Sequence, residues 1–185
     1  MKLIDSLSLC LLLSALSLPT VLSANAGADA TLVNTLAKSH ITSPKIVGSG
    51  RMTYLLWDIY DAILLTDSGS YLAEQPFALK LDYLREFEGK EIAKRSVKEM
   101  QRQGELDAKT SARWRTLMEN IFPDVKKGDF ILGVADKQKY SHFYSQSGWL
   151  GSIEEPQFTQ RFFNIWLGED TSEPEFRLQL LGETP

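Results

Sequence analysis

The sequence predicts an α+β domain built on an antiparallel sheet, and three observations carry that expectation. Segments rich in β-branched and aromatic residues fill the stretch from Lys45 to Tyr83. Two amphipathic helical segments follow over residues 89–121, before a hairpin-like stretch from Phe130 to Gln146. The chain then closes on bulky helices: Arg161-Phe162-Phe163-Asn164-Ile165-Trp166-Leu167 is stopped by Gly168, and Arg177-Leu178-Gln179-Leu180-Leu181 by Gly182. Strands grouped together, rather than alternating singly with helices, argue against parallel βαβ winding.

Taken in order, Lys45 to Arg51 reads as a strand in which Gly48 and Gly50 signal a bend or bulge. Met52 to Leu65 is apolar and aromatic on both faces, interrupted only by Asp58 and Asp61, and reads as a buried central strand or strand pair. Asp67-Ser68-Gly69-Ser70 is a turn cluster. Phe77, Leu79, Leu81 and Tyr83 then alternate with Lys80 and Asp82, which predicts a strand with one dry and one wet side. From Gly89 the period lengthens: Ile92, Ser96, Val97 and Met100 share a helical face, Lys94, Arg95, Lys98 and Arg102 form a solvated basic face, and Gly104 ends the element. Asp107 is placed to cap a second helix whose stripe is Trp114, Leu117, Met118 and Ile121 and whose stop is Pro123. Phe130 to Val134 reads as a strand, Asp136 to Lys139 as a connection, and Tyr140 to Gln146 as the returning partner.

Residues 1–26 carry the marks of a signal peptide: Lys2, an apolar run from Leu7 to Leu22, and the small residues of Ala24-Asn25-Ala26, with a second acceptable cut after Ala30. The serines, Pro19 and Thr20 make the run too polar and too short for a span of roughly 20 apolar residues. The expectation is a periplasmic or secreted protein, cleaved near Ala26, with no stable membrane insertion afterwards. The single cysteine, Cys10, lies within that run behind the bulky Leu9, where a lipid-anchoring site needs a small residue. A cleaved chain therefore has no thiol for a disulfide, a metal or a nucleophile.

The remainder, residues 27–185, has no repeat, low-complexity tract or long linker and reads as one domain. A composition of 43% hydrophobic and 10% aromatic residues supplies the material for a core. A net charge of −4 and a pI near 5.3 disfavour a nucleic-acid partner, which needs a basic field.

The usual reactive constellations are missing. His40 and His142 have no paired ligand residue at metal-binding spacing, and no nucleophile elbow, phosphate loop or zinc-protease motif occurs, so no catalytic residue, metal or cofactor is expected. Glu154-Glu155 could be an acid/base pair, but before Pro156 it reads better as negative charge at a helix N-terminus. Arg51 is more suggestive. It follows Gly48-Ser49-Gly50 and precedes Thr53, Tyr54 and Tyr60, so a guanidinium and hydroxyls can converge at the mouth of an apolar pocket. That combination suits an anion with a greasy tail, because arginine offers a bidentate fork and aromatic walls take the apolar part. The alternative is a surface Arg51 beside core tyrosines.

At these residues the chain resembles the chalcone isomerase-like superfamily, in its exported bacterial branch. The resemblance rests on Gly48-Ser49-Gly50-Arg51 leading into Trp57-Asp58-Ile59-Tyr60-Asp61-Ala62, on Phe77 to Tyr83, on Ser96-Val97-Lys98-Glu99-Met100, on Phe122-Pro123 with Gly128-Asp129, and on Phe163 to Gly168 with Leu180-Leu181-Gly182. It implies an open-faced β-sandwich: a curved antiparallel sheet backed by helices, with a cleft between them. In the plant enzymes of the superfamily that cleft cyclises a chalcone without a cofactor; in fatty-acid-binding relatives it holds an acyl chain whose carboxylate meets an arginine and a tyrosine. Arg51 best resembles that arginine. The enzymes' downstream tyrosine, asparagine and threonine set has no match. The resemblance thus favours a non-catalytic binder of a small amphipathic anion, a fatty acid or phenolic, at Arg51, Tyr60, Tyr54 and Thr53. Two other readings stand beside it: an intramolecular lyase or isomerase, and an interaction domain whose cleft is plugged by Trp57, Tyr54 and Tyr83.

Overall fold

A computed structural model describes residues 31–183, so the signal-peptide reading and the start of the domain lie outside the described residues. The chain begins with helical residues 31–37 (α1) and continues through β1 (Lys45–Tyr54), β2 (Trp57–Thr66) and β3 (Phe77–Tyr83). Helices α2 (Gly89–Arg102) and α3 (Ala108–Ile121) come next, then β4 (Phe130–Ala135), β5 (Ser141–Ser145) and β6 (Gly148–Ile153), and finally α4 (Pro156–Leu167) and α5 (Pro174–Leu180). The strands form one six-stranded sheet in sequence order, with every neighbouring pair antiparallel. This is the α+β architecture that the grouped strands predict.

Local signals set most boundaries. Asp107 caps α3 by accepting the Thr110 amide, as its place before the Trp114 stripe predicts. The bulge at Gly48 is real, for the β1/β2 register shifts between Ile46 and Gly48. A Cβ there would lie 2.2 Å from the Gln179 carbonyl oxygen, so glycine lets α5 press directly on the edge strand.

Two expectations need correction, and one strand has no counterpart among them. The stretch from Met52 to Leu65, read as a buried strand or strand pair, is divided by a turn at Leu55-Leu56, where Leu55 takes φ 56, the left-handed conformation of a two-residue hairpin. Tyr54 to Trp57 are therefore an exposed tip rather than a buried strand, with Leu56 93% exposed. The side of β3 expected to be wet is covered. Lys80 is only 3% exposed, held by Asp82 at 2.6 Å and lying over the Phe130 ring. The strand without a counterpart is β6, which carries Gly148 and Gly151 and has no apolar alternation for a sequence reading to detect.

The sheet thus has two covered faces of different character. Helices α2 to α5 lie on one, where Leu64, Leu79, Leu81 and Phe143 meet Met100, Trp114, Phe158 and Phe163. Aromatic rings lock this layer: Phe163 stands edge-on to Phe77 at 4.8 Å, and Phe158 stacks on Phe162 at 5.4 Å. On the other face α1 and the turn after it place Val33, Ala37 and Ile41 against Leu65, Ala78, Leu132 and Val134.

Candidate functional site

Near the open end of the first face the packing stops short of closing, leaving a cavity of about 260 Å³ between the sheet and helices α2 and α4. Leu81 and Ile131 form its floor, and Ile92, Phe122, Phe162 and Trp166 its helical wall. Met52, Tyr54 and Ile59 stand where the exposed hairpin tip meets it.

The polar groups come from the helices and from the strands beneath them. On α2, Ile92, Arg95 and Glu99 follow one another at three- and four-residue steps, so they share the helix flank that faces the cavity. Arg95 Nη2 lies 2.8 Å from Glu99 Oε1, Arg102 Nε lies 3.3 Å from Glu99 Oε2, and Ser172 donates to that same oxygen. One buried carboxylate is thus shared by two guanidiniums. Glu173 completes this rim.

Strands β2 and β3 supply two phenols, Tyr60 and Tyr83, whose rings meet edge-on at 6.0 Å. The Trp166 indole donates to the Tyr60 oxygen at 2.9 Å, which leaves the phenol's own proton to be donated elsewhere. The Tyr83 hydroxyl has no hydrogen-bond partner among the described residues. Burial pushes Tyr60 up to about 12 against a smaller opposing effect of the Trp166 bond, and burial followed by the neighbouring Tyr60 raises Tyr83. Both remain neutral donors at ordinary pH.

Of the four residues expected here, Tyr60 and Tyr54 line the cavity, while Arg51 and Thr53 do not. The reason is the two-residue period of a strand. Arg51 pairs across the ladder with Asp61, and Met52 with Tyr60, so the arginine stands on the opposite face from the cavity. There its guanidinium makes a forked contact to Asp61 at 2.7 and 2.8 Å and reaches Asp58 at 3.2 Å, while Thr53 donates to Asp58. Arg51 is an exposed ion pair on the outer edge; the guanidinium in the cavity lining is Arg95.

Sequence reading passed over Arg95 because its basic neighbours are solvated. The signal that could have found it is its position, three residues after Ile92 and four before Glu99, on the border of the apolar stripe. Of the residues expected to plug the cleft, Trp57 lies outside under the Arg85 guanidinium. Glu155, for its part, is engaged by Arg113 and by the Trp114 indole at 3.0 Å. The Arg113 hydrogen bond holds it below the usual carboxylate range against the opposing effect of burial, so it is a structural anion and not a proton carrier.

The sequence profile of the chalcone isomerase-like family matches residues 59–182. The chain belongs to that family. The matched stretch of this chalcone isomerase-like protein includes Tyr60, Tyr83, Arg95, Glu99 and Glu173; Met52 and Tyr54 lie just upstream. An uncharacterized protein of Haemophilus influenzae is 27% identical over 139 residues, covering 75% of this chain and 68% of that one. The crystal structure of an Arabidopsis thaliana fatty-acid binding protein superposes with a TM-score of 0.57 at 12% identity, covering 76% of this chain and 87% of that one. At that identity the likeness is one of fold. Among the described residues, no helix of the chalcone isomerase-like chain is long and apolar enough to cross a membrane.

Proposed function

We propose that this protein is a non-catalytic binder of a small amphipathic monoanion, a fatty acid of short to medium chain or a phenolic acid, held in the cavity between sheet and helices. The observation that carries this reading is the pairing of an apolar chamber with neutral phenol donors and an arginine at its rim. The tail lies against Leu81, Ile131, Phe122 and Phe162, where burial of apolar surface is worth about 25 cal/mol per Å². The head accepts from Tyr60, Tyr83 and Arg95. Arg95 and Arg102 balance Glu99 and Glu173, so the rim as a whole is neutral and accepts a monoanion more readily than a dianion such as a phosphate monoester.

Size points the same way. At roughly 30 Å³ for a water-sized group, a cavity of about 260 Å³ admits about nine such groups, so decanoate, with about twelve, fills it and extends through the open side at the hairpin tip. The Haemophilus relative leaves the ligand open, and the fatty-acid binding protein among the structural neighbours supports a lipid-like candidate. We further propose that binding takes place in the periplasm or outside the cell, after removal of residues 1–26; intact mass of the protein from a periplasmic extract reads the cleavage point directly.

Native mass spectrometry of protein purified without detergent tests the binding reading. One equivalent of decanoate retained, either co-purified or added, is expected. A mass that stays ligand-free across added acids of six to sixteen carbons contradicts it.

A further inference from the structure

The outer sheet face carries a second cluster, remote in character from the cavity. His40 follows α1, Asp136 follows β4 and His142 belongs to β5, and one ligand atom from each lies within 4.8 Å of the other two. The two imidazoles stack with centroids 4.1 Å apart and planes 18° from parallel. His142 Nε2 is 2.8 Å from Asp136 Oδ2, and His40 Nε2 is 3.1 Å from the Tyr144 hydroxyl. The side chains of Asp136 and His142 are 10% and 13% exposed.

We propose that His40, Asp136 and His142 form a binding site for a divalent transition-metal ion of the zinc class, which fastens the segment after α1 to the sheet. Two imidazole nitrogens and one carboxylate oxygen are a ligand set that zinc takes at about 2.0–2.2 Å, with water in the fourth position. Such nitrogen-rich sets select against calcium and magnesium, which want oxygen alone.

The surroundings are those of a held ligand set. Asp136 Oδ1 accepts the backbone amides of Gln138 and Tyr140, both at 2.9 Å, which pins the carboxylate and turns Oδ2 toward the histidines. Tyr144 and Trp149 flank the imidazoles, Trp149 standing 5.9 Å from His142 and 5.3 Å from Tyr144. One histidine would satisfy the Asp136 carboxylate; the second adds a nitrogen donor beside it. Tetrahedral zinc spaces its ligand atoms by roughly 3.3 Å, so His40 must turn from Tyr144 and its ring must tilt off the stack. It lies in the short stretch between α1 and β1, with backbone bonds only to its own turn, which leaves room for that adjustment.

The test uses the untagged full chain, stripped with a chelator and titrated first with Co²⁺ and then with Zn²⁺. One equivalent of cobalt should give visible d–d absorption that zinc displaces. Zinc at a hundredfold excess over its dissociation constant should raise the melting temperature by roughly 5–10 °C. His40→Ala and His142→Gln should each weaken metal binding at least tenfold; if one variant does not fold, the other carries the readout. Absence of a cobalt band, or a band and a melting shift undiminished in the folded variants, overturns the site. Decanoate binding on the opposite face is read separately, so failure of either site leaves the other intact.

Discussion

The two faces of this sheet use neighbouring residues of the same strands for opposite ends. On β1 and β2 the pair Met52 and Tyr60 opens into the cavity, and the adjacent pair Arg51 and Asp61 forms an ion pair on the outside. One step along a strand changes a cavity wall into a surface salt bridge. The helix-covered face is an aromatic layer left incomplete at one end; the outer face is closed by α1 and stitched with charged and imidazole contacts. A cation matters for binding by the face it occupies, which its nearness in sequence to tyrosines does not reveal.

Removing part of the aromatic layer gives the largest effect. Phe163 is 2% exposed, edge-on to Phe77 and packed over Gly133, so Phe163→Ala should cost about 3–5 kcal/mol in urea unfolding. A loss under 1 kcal/mol would mean that this layer does not organise the helix face. Next comes the rim. Arg95→Ala should weaken decanoate binding by about 10- to 100-fold, the size of one hydrogen bond to a charged group, and an unchanged dissociation constant would remove Arg95 from the site.

Tyr60→Phe is expected to be milder, about 1–2 kcal/mol of stability, because it strands the buried Trp166 indole N–H. The same residue carries a pH signature. Its folded phenol, at about 12, holds its proton more tightly than the ordinary value of 10.0, so its contribution is complete below about pH 10 and fades as the pH climbs toward 12. Unfolding free energies measured between pH 9 and 12 should fall less steeply in Tyr60→Phe than in the parent. The smallest effect belongs to the outer pair: Arg51→Ala should change stability by no more than about 1 kcal/mol, as for exposed ion pairs, and leave decanoate affinity unaltered. A tenfold loss of affinity there would reverse the assignment of faces.

Much of the fold could be read in the sequence because its signals are local. Asp107 capping its helix, Phe77 to Tyr83 alternating as β3, and the aromatic run stopped by Gly168 each follow from a few neighbouring residues. The misreadings concern what covers a surface. Lys80 looks solvent-facing until Asp82 and Phe130 enclose it, and Tyr54 to Trp57 look buried until the hairpin turn places them at a tip. The site was half legible for the same reason. Tyr60 and Tyr54 line the cavity, whereas choosing between Arg51 and Arg95 for that lining requires knowing which strand face the helices occupy. His40 and His142 meet only through tertiary folding, so spacing alone excludes a pairing that the sheet and α1 create.

A crystal structure of the decanoate complex examines the binding reading most directly. The expected result is an alkyl tail between Leu81, Ile131 and Phe162, with its carboxylate within hydrogen-bonding distance of Arg95 and of Tyr60 or Tyr83. A carboxylate seated beside Arg51 on the outer face, or a cavity that stays empty at saturating decanoate, would contradict it.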